Sequence, residues 1–174
     1  LTVWSEISLV PYDAASPLLE QALEVYARVW PLRDPAMSRE GFTRYAGYAG
    51  FRGLVAMCDG EAVGVTYGAT SVPGIPWHDL VAPILGADHP ALQDAWRLVE
   101  LAVVPEAEGL GIGTRLHDAI VASQPNARLL VSTGTTNARA RGIYERRGWH
   151  YILDEIRPPE SSDTYVIMGK AARS

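Results

Sequence analysis

The stretch "PEAEGLGIGTRL" (Pro105–Leu116) sets Gly109, Gly111 and Gly113 at alternate positions. An apolar run, "LVELAVV" (98–104), precedes it, and a helical pattern, "GTRLHDAIVAS" (113–123), overlaps its end and continues beyond it. Glycine has no Cβ, so it reaches positive φ and lets a ligand approach the backbone closely. A helix start leaves several N–H groups unpaired and carries a partial positive charge. A strand passing into a helix through such a segment reads as an anion site, most often one for phosphate.

Two familiar phosphate loops do not fit the spacing. A G-x-G-x-x-G fingerprint begun at Gly109 ends on Thr114, and one begun at Gly111 ends on Leu116. The P-loop pattern needs a lysine after its last glycine, and this segment has none.

Outward from the loop, the chain alternates strand-like and helix-like segments. Toward the amino terminus, "TVWSEISLV" reads as a first strand. Ser16 is placed as the N-cap of a helix with Pro17 at its first position, and Leu19, Leu23, Tyr26 and Trp30 form its apolar stripe. A second helix is expected from Ser38 to about Tyr48. "FRGLVAMC" and "EAVGVTYGAT", joined by Asp59-Gly60, form a hairpin. The proline-rich stretch from Ser71 to Ala95 has no clear period and reads as a long connection. "WRLVELAVV" is a buried strand. After the glycine loop and its helix come the strand "ARLLVSTG", a helix capped by Asn137 and stopped by Gly148, and the strands "WHYILDEI" and "TYVIMGK". The order is that of an α/β chain with a mixed sheet and helices on its faces.

Composition narrows the function classes. With 174 residues, 48% hydrophobic and 20% charged, the chain is expected to form a single soluble domain spanning 1–174. No apolar run approaches the ~18 residues that would span a bilayer, so no membrane role is expected. A net charge of −5 argues against general nucleic-acid binding. Cys58 is the one cysteine and has no internal partner, and no Cys/His cluster suggests a metal. A cytoplasmic protein without a secretory leader is the expectation. Oligomeric state, including a homodimer, stays open.

The element order, with "ELAVVPEAEGLGIGTRL" (100–116) and "NARARGIYERRGW" (137–149), resembles the GNAT superfamily of acyl-CoA N-acyltransferases. The matching residues are Val103, Val104 and Pro105 at the strand end, Gly111 and Gly113 in the loop, then Asn137, Tyr144 and Gly148-Trp149. The clear match covers about 96–155. The resemblance implies a mixed, mostly antiparallel sheet of about six to seven strands flanked by about four helices. It implies acetyl-CoA as co-substrate, no metal, and an amine acceptor. One departure stands in the loop: Glu108 occupies the position where the family usually has Gln or Arg. A solvated carboxylate there would repel a pyrophosphate by ~1 kcal/mol, with Arg115 as a nearby cation to offset it.

By the same resemblance, N–H groups of Gly109, Leu110, Gly111, Ile112, Gly113 and Thr114 hold the pyrophosphate, and Leu101, Ala102 and Val103 pair with the pantetheine amides. Asn137 adds a contact to the cofactor besides its role as N-cap. Tyr144 directs its hydroxyl at the thioester sulfur, where a departing thiolate needs a proton; packing into the core is its other reading. Glu100 interrupts an apolar strand, and a carboxylate there needs a reason: an ion pair or deprotonation of the acceptor. His78 is an alternative base. The basic end of the later helix, Arg139, Arg141, Arg146 and Arg147, faces solvent or meets the cofactor's 3′-phosphate. Trp30, Phe42, Tyr45, Trp77 and His78 lie in segments that line the family's acceptor side. The favoured reading is an N-acetyltransferase acting on a small amine. The rivals are acetylation of a protein or peptide amino terminus, and a non-catalytic acyl-CoA-binding protein.

Overall fold

The computed structural model describes residues 6–159 and 161–172. The elements are β1 (Ile7–Tyr12), α1 (Leu18–Val29), α2 (Pro35–Ala46), β2 (Arg52–Cys58), β3 (Glu61–Ser71), α3 (Pro76–Leu85), β4 (Ala95–Val103), α4 (Ile112–Ala122), β5 (Arg128–Gly134), α5 (Ala138–Glu145), β6 (His150–Ile156) and β7 (Tyr165–Ala171). Hydrogen bonding orders the strands β1-β2-β3-β4-β5-β7-β6. β4 and β5 run parallel over Ala95–Leu98 and Arg128–Val131. The β1/β2, β2/β3, β5/β7 and β6/β7 ladders are antiparallel. Among the described residues this is the mixed, mostly antiparallel α/β sheet expected, with seven strands and five helices.

The described residues sort into two compact bodies, one of 6–69 with 99–123, the other of 70–98 with 124–159 and 161–172. In the first, the β2/β3 hairpin turns at Asp59 (φ 49°) and Gly60 (φ 83°), both left-handed as a two-residue turn requires. Along β3, Ala62 to Ala69 are all buried. Gly64 is the close contact point: a Cβ there would lie 2.9 Å from Leu116 Cδ1, 3.2 Å from Ile112 Cγ2 and 3.3 Å from the Ala102 carbonyl. α4 therefore presses its buried side chains, Ile112 and Leu116, directly onto the strand. Arg28, near the end of α1, bonds Glu61 at 2.8 Å and Glu106 at 2.7 Å, tying that helix to the start of β3 and to the turn after β4.

In the second body, Val81 of α3, Ala95, Leu130, Ile156 and Ile167 share one buried cluster. Trp77 on α3 donates its Nε1–H to Ser132 Oγ at 3.2 Å, and the Arg97 guanidinium lies 4.5 Å from the centre of the Trp77 ring. α3 corrects the expectation of a long irregular connection. The prolines concealed it: Pro76 takes the first helical position, where its missing N–H costs no bond, and Pro83 falls in the last turn.

Two other boundaries shift. α1 begins at Leu18 with Pro17 as the capping residue, one place later than expected; Ser16 still serves the start, because its Oγ accepts from Leu18 N at 3.2 Å. α2 begins at Pro35, three residues before Ser38, because Asp34 caps it by accepting from Met37 N at 2.8 Å. At α2 the residue that accepts the free N–H sets the boundary; at α1 the acceptor, Ser16, lies one place before the capping residue. The expected first strand starts at Thr2; its residues before Glu6 lie outside the described ones.

Gly64→Val should push Leu116 and Ile112 off β3 and lower stability by about 1–3 kcal/mol, the usual cost of overpacking. Urea unfolding of the variant beside the parent measures it; equal midpoints would mean that α4 does not bear on Gly64.

Candidate active site

β4 delivers the chain to the glycine loop under close control. Beyond its last residue, Val104 N donates to Val63 O at 2.9 Å, and a short 3-10 turn, Pro105–Ala107, follows. Gly109 (φ 80°) and Gly111 (φ 77°) are both left-handed, and a Cβ on either would meet nothing within 4 Å. Backbone conformation, not crowding, requires glycine at these two positions, and the space above them is open. Gly113 differs: it lies in the first turn of α4, and a Cβ there would make an ordinary 3.7 Å contact with Val103 Cγ2.

Gly111 is the N-cap of α4, and among the described residues no side chain caps this end. Its carbonyl accepts from Arg115 N at 3.0 Å, the first bond of the helix. The N–H groups of Ile112, Gly113 and Thr114 precede that bond and are the donors a helix start leaves over. An eleven-residue helix adds its dipole to them. Glu108 is exposed in extended backbone just before the loop. Arg115, expected as a helper for the anion, instead donates from Nη2 to the Ile7 carbonyl at 3.0 Å, which draws its guanidinium toward β1. His117 is a packing residue, buried with Nδ1 2.8 Å from Asp118 Oδ1.

Glu100 sits partly buried on β4, where Thr66 Oγ1 donates to its backbone carbonyl at 2.7 Å. Its charge reaches two phenols. The Tyr12 and Tyr67 hydroxyls are held far above the ordinary tyrosine range, first by burial and second by the Glu100 carboxylate, so both are neutral. Tyr67 is the centre of an aromatic cluster: ring centroids lie 4.7 Å away for Phe42, 5.7 Å for Tyr45 and 6.1 Å for Phe51. Phe42 in turn meets Tyr26 at 5.2 Å. Phe42 and Tyr45, expected on the acceptor side, thus stand with a ring that senses Glu100. Trp30 lies beyond the end of α1, 40% exposed.

Leu101, Ala102 and Val103 end β4 in the first body, whereas Trp77, His78, Asn137, Tyr144 and the arginines of α5 belong to the second. Asn137 caps α5 as expected, its Oδ1 accepting from Ala140 N at 3.1 Å. Tyr144 is buried, its ring centroid 5.5 Å from that of Trp149. Gly148 (φ 77°) lets the chain turn so that Trp149 N bonds the Tyr144 carbonyl at 3.1 Å. Arg141 is engaged within the fold, donating to Tyr151 Oη at 2.9 Å and to the Thr135 carbonyl at 2.7 Å. His78 is buried on α3 with Nδ1 3.1 Å from Ser71 Oγ, and Trp77 is held by Ser132 and Arg97. Both occupy a helix rather than a loop. A cavity of about 390 Å³ in this body, with Arg128, Leu130, His150 and Gly169 in its lining, includes none of the predicted site residues.

Reading the sequence did not single out Tyr12 or Tyr67. A signal existed in Gly53, a glycine inside a strand, which marks a close approach to the backbone. A Cβ at Gly53 would lie 2.5 Å from Tyr12 Cε1, so it is the Tyr12 ring that makes that approach.

A family model described as an acetyltransferase (GNAT) domain matches residues 49–151. A GCN5-like protein acetyltransferase of Mycobacterium tuberculosis is 30% identical over 120 residues, covering 62% of this chain and 57% of that protein. The matched part thus spans little more than half the length of that relative. Among solved structures, aminoglycoside 6′-acetyltransferase type Ii superposes with a TM-score of 0.71 at 18% identity, over 96% of this chain and 98% of that one. The ribosomal-protein-S18-alanine N-acetyltransferase of Escherichia coli gives 0.68 at 14% identity, over 96% of each chain. An aminoglycoside 6′-N-acetyltransferase complexed with coenzyme A gives 0.68 at 16%, over 96% and 98%.

The loop geometry separates its glycines. Gly111→Ala places a side chain at positive φ and should cost about 1–2 kcal/mol, whereas Gly113→Ala, in helical backbone, should leave stability unchanged or raise it by up to ~1 kcal/mol. Urea midpoints of the two variants decide it; equal loss in both would mean that Gly111 is not held left-handed.

Proposed function

The chain belongs to the GNAT acetyltransferase family, and we propose that it is an N-acetyltransferase that moves the acetyl group of acetyl-CoA onto a small amine in a ternary complex. The observation that carries this reading is the pair of left-handed glycines opening into α4 with clear space above them. Those residues suit a diphosphate: the N–H groups of Ile112, Gly113 and Thr114 would bind its oxygens, with Gly109 and Leu110 shaping the approach. The backbone of Leu101, Ala102 and Val103 would pair with the pantetheine amides, and Asn137 would contact the same molecule beside its capping bond. The exposed Glu108 carboxylate weakens this affinity modestly.

Acetyl-CoA supplies an activated thioester; the chain supplies proton transfer and orientation. Glu100 accepts the proton that the acceptor nitrogen must lose before its lone pair can form the bond to the carbonyl carbon. The Val103 N–H donates to the carbonyl oxygen as charge gathers there. Tyr144 donates a proton to the sulfur as the carbon–sulfur bond breaks. Direct transfer is favoured over a covalent enzyme intermediate because Cys58 is wholly buried on β2, and that burial, with Asp59 nearby, raises its thiol pKa. A protein or peptide acceptor is the second reading, favoured by the description of the M. tuberculosis relative.

Thiol release from acetyl-CoA in the presence of polyamines, aminoglycosides, amino acids and short peptides tests the reading and sorts the acceptors. No release with any of them, alongside tight acetyl-CoA binding, would leave a binding protein rather than an enzyme. Where turnover is found, Tyr144→Phe should lower kcat by ~10²–10⁴ with little change in acetyl-CoA affinity. A kcat within twofold of the parent, with chemistry rate-limiting, would remove Tyr144 from the reaction.

The proposed base makes a different prediction. An alkylamine titrates near the lysine value, ~10.4, and is protonated at neutral pH. Glu100→Gln keeps the shape and removes the base. The fall in kcat/KM should be largest near neutrality and shrink as rising pH supplies free amine. A pH profile parallel to that of the parent would exclude Glu100 as the base.

A further inference from the structure

The row of residues across β1, β2 and β3 holds a polar group that the proposed chemistry has not used. Tyr12 pairs with Gly53, and Gly53 pairs with Tyr67. Residues directly opposite in an antiparallel ladder share a face, so Tyr12 and Tyr67 stand on one side of the sheet with a glycine between them. That gap is filled by the Tyr12 ring. A Cβ at Gly53 would lie 2.5 Å from its Cε1 and 2.7 Å from Cζ, the carbon that carries the hydroxyl. The ring therefore lies across β2, directed toward β3, and Phe51 fixes it edge-on at 5.8 Å between centroids. One strand further on, Thr66 bonds the Glu100 backbone, setting Glu100 beside the Tyr67 end of the row.

Tyr12 is 6% exposed, and among the described residues nothing hydrogen-bonds its buried hydroxyl. A buried hydroxyl without a partner is costly, and proteins rarely keep one unless something else meets it. Burial and the Glu100 charge keep this phenol neutral, as they do Tyr67. Each oxygen can therefore accept an N–H as well as donate its proton.

We propose that Tyr12, laid across Gly53, positions the acceptor nitrogen beside Glu100, with the Tyr12 and Tyr67 oxygens and the Glu100 carboxylate receiving the N–H groups of a primary ammonium. This rests on the acetyltransferase reading for its catalytic meaning, but not for the binding it describes. One N–H bond of the ammonium breaks as an O–H bond forms on Glu100. Tyr12 keeps its own proton throughout, so it positions the nitrogen and does not titrate. The neighbouring rings of Tyr67, Phe42 and Tyr45 would also hold a cation without N–H groups through their faces alone. Hydrogen bonding and ring attraction therefore predict opposite preferences for methylated ammonium ions.

Benzylamine and benzyltrimethylammonium separate them, because both carry one positive charge and only the first has N–H groups. Thermal unfolding of the full chain, with acetyl-CoA present, should show stabilisation by benzylamine that is at least about tenfold more potent than that by the trimethylated ion, a loss on the scale of one hydrogen bond. Tyr12→Phe should narrow that difference, because one of the three acceptors is lost while Tyr67 and Glu100 remain. It should leave acetyl-CoA affinity unchanged and the melting temperature equal or higher, since a buried unpaired hydroxyl has been removed. With an acceptor that turns over, the variant should raise KM about tenfold and leave kcat within twofold. Equal or tighter binding of the trimethylated ion, no stabilisation of the parent by benzylamine, or an unchanged KM in Tyr12→Phe would each overturn the proposal. If Tyr12→Phe does not fold, the comparison of the two ions on the parent chain still decides. Selective benzylamine binding without any turnover would fail the acetyltransferase reading alone; turnover with an indifferent Tyr12→Phe would fail this inference alone.

Discussion

The absence of a side chain at Gly64 sets where α4 can sit. Ile112 and Leu116 come within the distance a Cβ would occupy, and the Ala102 carbonyl closes the third side. A helix held that close to β3 has little freedom to slide along it, because interiors pack at near-crystalline density. Its first turn is thereby fixed beside the end of β4, and Val104, just past that end, is itself pinned to Val63. The short 3-10 turn and two left-handed glycines then span a gap whose ends are both set. The donors of Ile112, Gly113 and Thr114 are presented as a consequence of packing several residues away.

Glycine does three different jobs in this first body. At Gly64 it permits contact between a helix and a strand. At Gly109 and Gly111 it permits a backbone conformation and leaves space open. At Gly53 it permits an aromatic ring to lie across a strand and carry a hydroxyl toward the neighbouring chain segment. Only the second job is visible as a motif, because only there are the glycines close together in sequence. The other two depend on what lies opposite, which is a matter of register. The Tyr12–Gly53–Tyr67 row exists because β1 and β2 pair with Tyr12 against Gly53, and one residue of slip would send Tyr12 to the other face.

The charges follow the same logic. Glu100 looked from the sequence like an anomaly in an apolar strand, with an ion pair or a catalytic role as its explanations. In the fold its carboxylate bears on two neutral phenols in an aromatic setting. Arg115 shows the converse. It stands close to the glycine loop in sequence and looked available to an anion, yet it is committed to the Ile7 carbonyl. Trp77 and His78, expected in a long connection without a clear period, are held on α3 by Ser132, Arg97 and Ser71.

The sequence by itself determined the strand–loop–helix at 98–123, the hairpin at Asp59-Gly60, the cap at Asn137 and the membership of the mixed α/β class. These are local: a turn needing positive φ, a side chain reaching an N–H three residues on, or an apolar period of two or of three to four is complete within a short window. The tertiary structure decided that the prolines of 76–85 belong to a helix, which basic side chains are already engaged, and that Tyr67 packs against Phe42 and Tyr45 while it and Tyr12 feel the Glu100 charge. Those residues come from three strands and a helix, and nothing in their own neighbourhoods marks them as belonging together. Only strand register and packing, which act between segments far apart in the chain, bring a carboxylate, two phenols and the glycine that makes room for them into one place.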